Sequence, residues 1–267
     1  MKNKKYISFF EKYFENIIQE VKIDSEKIHI NRKKEHTYRV VDNAIRIGKS
    51  LNLDENNLKL VYLSALFHDI GRFKQFKDYH TFQDEISIDH AQLSVDELTN
   101  SNILDDLTYN EKNLVLKSIL IHNKIDIPKD YTKEEYLISS ILRDADKLDM
   151  YYNMTKIIPF IEENQQNIYY SNKSNELKVS ENIYNKILNK ELIYNTELNT
   201  VLDKKLRTIG FITADIKHIE SLKIIKENNY LPKIYESLPK IPEVITIYNF
   251  INDYLNSKTW LMPPTNI

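Results

Sequence analysis

Leu58-Lys59-Leu60-Val61-Tyr62-Leu63-Ser64-Ala65-Leu66-Phe67-His68-Asp69-Ile70-Gly71 is the stretch on which the reading of this chain turns. Leu58, Val61, Tyr62, Ala65 and Leu66 recur at three- and four-residue spacing, the pattern of a helix with one inward apolar stripe. Asp54 stands where a side-chain oxygen can cap its first turn. The helix runs out at His68-Asp69, and Gly71 suits the left-handed residue that often closes a helix. A carboxylate and an imidazole therefore sit at the inner end of an apolar helix, where a polar group without a partner is costly.

The flanking segments repeat the helical pattern. Residues 6–22 carry Phe10, Tyr13, Phe14, Ile17, Ile18 and Val21 on one face, and a polar link is expected over Asp24 to Lys34. Residues 35–52 form the next expected helix, with Val40, Val41, Ala44, Ile45 and Leu51 inward. Residues 72–84 mix aromatic and charged side chains without a period and are expected to be an irregular loop, followed by a helix from about Ile86 to Leu98. Thr108-x-x-Glu111 and Thr132-x-x-Glu135 each fit a capping box. They open helices carrying His122 and Asp146 respectively, and Pro128 bars extension of the first. Beyond Tyr152, Ser180 is placed to cap a short helix, and helices are expected over 216–228 and 242–256, the last with Pro242 in its first turn. Residues 165–180 read as a loop.

Composition agrees with an all-α fold. The 267 residues include only three glycines, too few for the many tight turns of a β-rich domain. The expected division is a metal-binding helical domain over 1–155 and a helical extension over 156–267. The extension's open roles are completing the core, walling the pocket or forming a homodimer contact. A net charge of −2 and a pI near 6.4 give no basic excess for a nucleic-acid polymer. No apolar run is long enough to span a bilayer, and Glu11, Lys12 and Glu15 interrupt the apolar start too early for a signal peptide, so a cytoplasmic protein is expected. Without cysteine, any metal must sit on His, Asp, Glu, backbone or water.

Where the histidines fall is more informative than their number. His36 shares a helical face with Val40 and Ala44, His122 with Val115, Ser118 and Ile119, and Asp146 follows Leu142 by one turn. Taken singly, each has a plain reading: a hydrogen-bonded core histidine, or an aspartate paired with Arg143 or Lys147. Taken as an ordered set on separate helices, they are groups whose burial a shared divalent cation would offset.

That ordered set resembles the HD-domain metal-dependent phosphohydrolases. The matching residues are His36 in His36-Thr37-Tyr38-Arg39-Val40, the His68-Asp69 pair in Leu66-Phe67-His68-Asp69-Ile70-Gly71-Arg72, and Asp146 in Asp144-Ala145-Asp146-Lys147-Leu148-Asp149, covering about residues 35–150. The resemblance implies an HD-type helical bundle in which these four positions hold one divalent metal. His90, in Asp89-His90-Ala91, and His122, in Ile121-His122-Asn123, match positions that hold a second metal in some subfamilies. One or two ions are thus implied, with Asp69 able to bridge them. Nitrogen and oxygen donors suit Mn, Fe, Co, Ni or Zn.

The activity implied is hydrolysis of a nucleotide or another small phosphate ester by metal-activated water. Asp69, Arg72 and Lys147 are the expected catalytic groups, and Arg72, Lys74 and His80 the expected substrate contacts, because phosphate calls for cations beside the metal. Arg39, one turn after His36, is a lesser candidate. Two other functions fit the same inner residues. Some HD-fold proteins with the six-ligand pattern carry two irons and oxidise small organic substrates, and a ligand-binding regulator would keep the fold without turnover.

Overall fold

The computed structural model describes residues 3–157 and 174–259. The chain divides into two compact units, Met1–Asp146 and Lys147–Ile267. Among the described residues there is no β-strand, only an isolated parallel bridge between Ser174 and Thr200, and the fold is all-α.

The first unit contains α1 (Lys4–Glu20), α2 (Asp24–Ser50), α3 (Glu55–Phe67), α4 (Ile70–Tyr79), a 3₁₀ turn at Asp84–Ile86, α5 (His90–Ser101), α6 (Tyr109–Ile121) and most of α7 (Lys133–Tyr152). Helix α3 is the centre of the bundle, packed against α1, α2 and α6, while α5 packs against α4 and α6. Its buried residues include Leu60, Val61, Leu63, Ala65, Leu66 and Phe67. An aromatic layer joins α1 to the bundle: Phe10 and Phe14 lie 5.6 and 5.5 Å from the Phe73 ring, and Tyr6 and Phe9 both meet Phe67 edge-on. Such pairs add about 0.5–1.5 kcal/mol each beyond the area they bury. The helix starts follow the expected caps. Asp54 accepts from the Asn57 amide at 2.8 Å. In both threonine boxes the hydroxyl accepts from the glutamate N–H and the glutamate accepts from the threonine N–H.

Four expectations need correction. Residues 24–34 are not a link but the first turns of α2, which starts at Asp24. Asp24 and Glu26 favour a helix N-terminus. Its inward side is largely polar, Ile30 being the one fully buried apolar residue there, so no apolar stripe advertises it. Residues 70–79 are helical rather than an irregular loop, burying Ile70, Phe73 and Phe76 at three-residue spacing. Helix α3 ends at Phe67 with His68 in a right-handed conformation, so Gly71 does not close it; α4 closes on His80, which has φ 55° and donates its N–H to the Phe76 carbonyl at 2.8 Å. The next helix begins at His90 rather than Ile86, with Asp89 as its cap.

Gly71 is needed for space, not for a left-handed turn. A Cβ on it would lie 2.6 Å from the Ser94 nitrogen and 2.9 Å from the His90 carbonyl oxygen. The backbones of α4 and α5 touch here. The Gly71 N–H donates to Ser94 Oγ at 2.9 Å, and Ser94 Oγ donates to the His90 carbonyl at 2.8 Å.

The second unit holds α8 (Glu181–Leu188), α9 (Val201–Ala214), α10 (Ile219–Glu227), α11 (Tyr230–Glu236) and α12 (Pro242–Thr259). Helix α12 packs against all four of the others. Ser180 stands at the cap position of α8, but its hydroxyl donates to Asp203 Oδ2 at 2.7 Å instead of capping. Of the expected loop at 165–180, residues 174–180 are non-helical and 165–173 lie outside the described residues.

Candidate metal centre

Four helices and the α3–α4 junction deliver six side chains to one place in the first unit. His36 comes from α2, His68 and Asp69 from the α3–α4 junction, His90 from the first turn of α5, His122 from the end of α6, and Asp146 from α7. The Nε2 atoms of His36 and His68 are 3.1 Å apart, and those of His90 and His122 are 3.0 Å apart. Asp69 stands between the pairs. Its Oδ2 is 3.3 Å from His36 Nε2 and 3.6 Å from His68 Nε2. Its Oδ1 is 3.4 Å from His90 Nε2 and 3.6 Å from His122 Nε2. Asp146 Oδ1 completes the first group at 3.4 Å from His36 Nε2 and 3.9 Å from His68 Nε2. The side chain of Asp146 is 26% exposed, while those of His68 and Asp69 are 0% and 3% exposed, so the centre is most open at Asp146.

The hydrogen bonds on the far side of three rings fix which nitrogen carries the proton. Nδ1 of His68 donates to the Ala65 carbonyl (2.8 Å), that of His122 to the Ile119 carbonyl (2.6 Å), and that of His90 to Asp84 Oδ2 (2.6 Å). In a neutral ring with Nδ1 protonated, Nε2 is a bare lone pair. Burial, joined by the neighbouring rings of His122 and His36, lowers the His68 pKa to about 3 against the pull of Asp69 and Asp146. Burial and the Arg72 guanidinium lower that of His90 to about 4. Both rings are neutral at pH 7, so His90 aims a lone pair at His122 Nε2 across 3.0 Å. Asp69 Oδ1 beside them is buried and receives no hydrogen bond, which by itself costs about 1–3 kcal/mol or more. An inward lone pair on a neutral histidine and an uncompensated carboxylate oxygen are what a divalent cation resolves. The donor set therefore fits a metal: His36, His68, Asp69 Oδ2 and Asp146 on one side, Asp69 Oδ1, His90 and His122 on the other.

Asp69 is ionised. Burial raises its pKa, but Lys33 first, then the surrounding histidines, pull it well below the ordinary carboxylate range. Burial likewise raises that of Asp146, and the His36, His68 and His122 rings outweigh it.

Of the expected substrate and catalytic cations, the structure brings only Arg72 to the centre. Its Nε lies 3.6 Å from Asp69 Oδ1, and its NH1 donates to Gln75 Oε1, the Phe82 carbonyl and Asp84 Oδ1 at 2.6–2.8 Å. Lys74 pairs with Asp78 at 2.6 Å, and His80, 62% exposed, with Glu26 at 2.9 Å. Lys147 belongs to the second unit, where its Nζ lies 2.9 Å from Asp215 Oδ2 with both side chains buried. Arg39 approaches Glu35 at 3.9 Å. Arg143, weighed as a partner of Asp146, donates instead to the carbonyls of Ile121, His122, Lys124 and Ile125, which clamps the C-terminus of α6.

Two residues were missed. Asp84 holds His90 in the useful tautomer through Oδ2, while Oδ1 accepts from Arg72 and, at 2.9 Å, from Gln75 Nε2. Lys33 donates to Asp69 Oδ2 at 2.7 Å. The helical spacing of 33 and 36 would have signalled Lys33 had the segment been read as helix. Asp84, Asp89 and His90 also lie close enough together to hold an ion. Their atoms are already engaged, Asp89 by the Ala91 amide, Asn123 and Lys124, and Asp84 by its own donors.

Residues 34–151 match the HD domain family, and the six side chains of the cluster all lie within that match. The family is generally one of metal-dependent phosphohydrolases. No curated protein and no solved structure matches the chain.

Proposed function

We propose that this protein hydrolyses a small phosphate ester, a nucleotide being the leading class, at a two-cation centre held by His36, His68, Asp69, His90, His122 and Asp146. The observation that carries this reading is the placement of Asp69, one oxygen toward each histidine pair. A bound divalent cation supplies a Lewis acid that acidifies water and withdraws charge from phosphoryl oxygens. The chain's own residues do the rest. Asp69 and Asp146, both ionised, hold negative charge at the centre, and Asp69 sets the spacing of the two halves. The Nδ1–H bonds of His68, His90 and His122 keep their Nε2 atoms aimed inward. Arg72 Nε is a buried donor with no acceptor of its own beside Asp69 Oδ1, suited to a developing negative charge there.

No helix among the described residues is long and apolar enough to cross a membrane, and in our reading the protein acts on a soluble substrate in the cytoplasm. The test is elemental analysis of the purified protein, then phosphate release from a panel of nucleotides and sugar phosphates with each of Mn, Fe, Co, Ni and Zn. We expect up to two ions per chain and metal-dependent release. Asp69→Ala is expected to lose both ions and all turnover, and full turnover in that variant would refute the assigned centre. Oxygen-dependent turnover of an iron-loaded sample without phosphate release would instead favour the oxygenase chemistry of some HD-fold proteins.

A further inference from the structure

We infer that Lys33 is the residue that receives the substrate's phosphoryl oxygens at this centre, in a role that rests on the phosphohydrolase reading above. The cations near the centre differ in how freely they can turn to a substrate. Arg72 cannot do so cheaply: its NH1 holds three acceptors, one of them Asp84, and withdrawing it would loosen the carboxylate that orients His90. Lys74 and Lys147 are paired with Asp78 and Asp215. Arg143 is spent on the carbonyls that end α6.

Lys33 differs in three ways. Among the described residues its ammonium has one ionic partner, Asp69 Oδ2 at 2.7 Å, which is also the oxygen that His36 and His68 face. A divalent cation held by those three residues takes over the charge that Lys33 now compensates, so the ammonium is released by the same event that readies the centre. Second, its side chain is 25% exposed, close to the 26% of Asp146, whereas the four histidines and Asp69 are nearly closed off. Lys33 is therefore reachable from solvent, as the buried histidines are not. Third, its surroundings are defined: the Thr37 hydroxyl donates to the Lys33 backbone carbonyl one helical turn on, and Nζ stands 5.7 Å from the centre of the Phe82 ring, a wall that Arg72 also approaches. A partly exposed ammonium on a flexible side chain needs only a small swing to leave Asp69 for an anion bound beside it.

The energetics favour this transfer. A lysine ammonium is a compact point charge able to donate three hydrogen bonds, so it can keep some contact with Asp69 while serving phosphate. Charge-assisted hydrogen bonds to phosphate are short and strong in a partly buried site.

The test is direct binding of inorganic phosphate to protein loaded with Mn, by titration calorimetry, for the unaltered chain, Lys33→Met, Lys33→Gln and Lys33→Arg. Bound metal and thermal melting are measured on every sample. Lys33→Met and Lys33→Gln are expected to weaken phosphate binding by about 10- to 100-fold, the range for one charged hydrogen bond, with metal content unchanged. Lys33→Arg is expected to restore binding to within a few-fold. On any substrate that turns over, the neutral variants raise KM more than they lower kcat. Phosphate binding equal to that of the unaltered chain in a folded, metal-loaded neutral variant overturns the inference even if hydrolysis is found. The absence of phosphate binding in the unaltered chain overturns it as well. Lys33-dependent phosphate binding without hydrolysis of any ester would leave it standing while the phosphohydrolase reading falls.

Discussion

Replacing Asp84 with asparagine separates the two halves of the centre. Asp84 Oδ2 accepts the His90 Nδ1 proton at 2.6 Å, and Oδ1 accepts from Arg72 NH1 at 2.8 Å and Gln75 Nε2 at 2.9 Å. Every neighbour is a donor. An asparagine has one acceptor oxygen, so one side of the new amide must meet a donor with its own NH2. If that side is His90, the ring is driven to the other tautomer and Nε2 loses its lone pair. If it is the Arg72–Gln75 side, His90 keeps a neutral acceptor but loses the charge that strengthens its basicity. Either way the half made of Asp69 Oδ1, His90 and His122 weakens, by about 10- to 100-fold in metal affinity for such an outer contact. The 28% exposure of the Asp84 side chain places the effect toward the lower end. Metal titration followed by calorimetry should show one class of site shifted by that factor and the other, with His36, His68 and Asp146, unmoved. Equal weakening of both sites, or of neither, would refute the argument that Asp84 acts through His90.

Gly71→Ala is expected to destabilise the first unit by about 1–3 kcal/mol, the usual cost of overpacking. The added carbon lies 2.6 Å from backbone nitrogen and 2.9 Å from backbone oxygen, and neither can rotate away. Urea denaturation measures this, and metal titration should show the His90 side affected more, because the contact carries that residue. The metal-free chain should lose stability on acidification. His68 and His90, depressed from 6.5 to about 3 and about 4, remain neutral when folded but take up protons below pH 6.5 once unfolded. The unfolded chain then binds more protons, so the melting temperature should fall from about pH 6.5 down through pH 4. Asp69 and Asp146, lowered from 3.8, extend the loss to lower pH in the same direction. A melting temperature flat across this range would contradict the burial of neutral imidazoles.

How far the sequence could be read follows from where its signals lie. His36, His68, Asp69, His122 and Asp146 were legible because each sits on or at the end of a helix with an apolar stripe, where an inward polar group is conspicuous. The two threonine capping boxes were legible because the motif is local. The start of α2 was not, because its inward side mixes His29, Lys33 and His36 with Ile30 and so has no apolar period. Helix α4 was obscured by Gln75, a fully buried amide whose partners, Asp84, Ser87 and Ile88, come from the segment beyond its end. Asp84 gave no signal because six residues separate it from His90 across a helix start. Arg72 and Lys147 were expected near phosphate from their neighbours in sequence, but their pairing is set by partners 12 and 68 positions away.

The ion pair of Lys33 with Asp69 bears on the order of events in the life of the protein. In a zinc finger the ligands repel one another until the ion arrives, and the chain waits for it to fold. Here a lysine ammonium already neutralises the buried carboxylate between the histidine pairs, so the bundle can close before any ion is supplied. The choice of metal then falls to whichever ion a finished scaffold meets and retains, and growth conditions that change metal supply should change the occupant without changing the yield of folded protein.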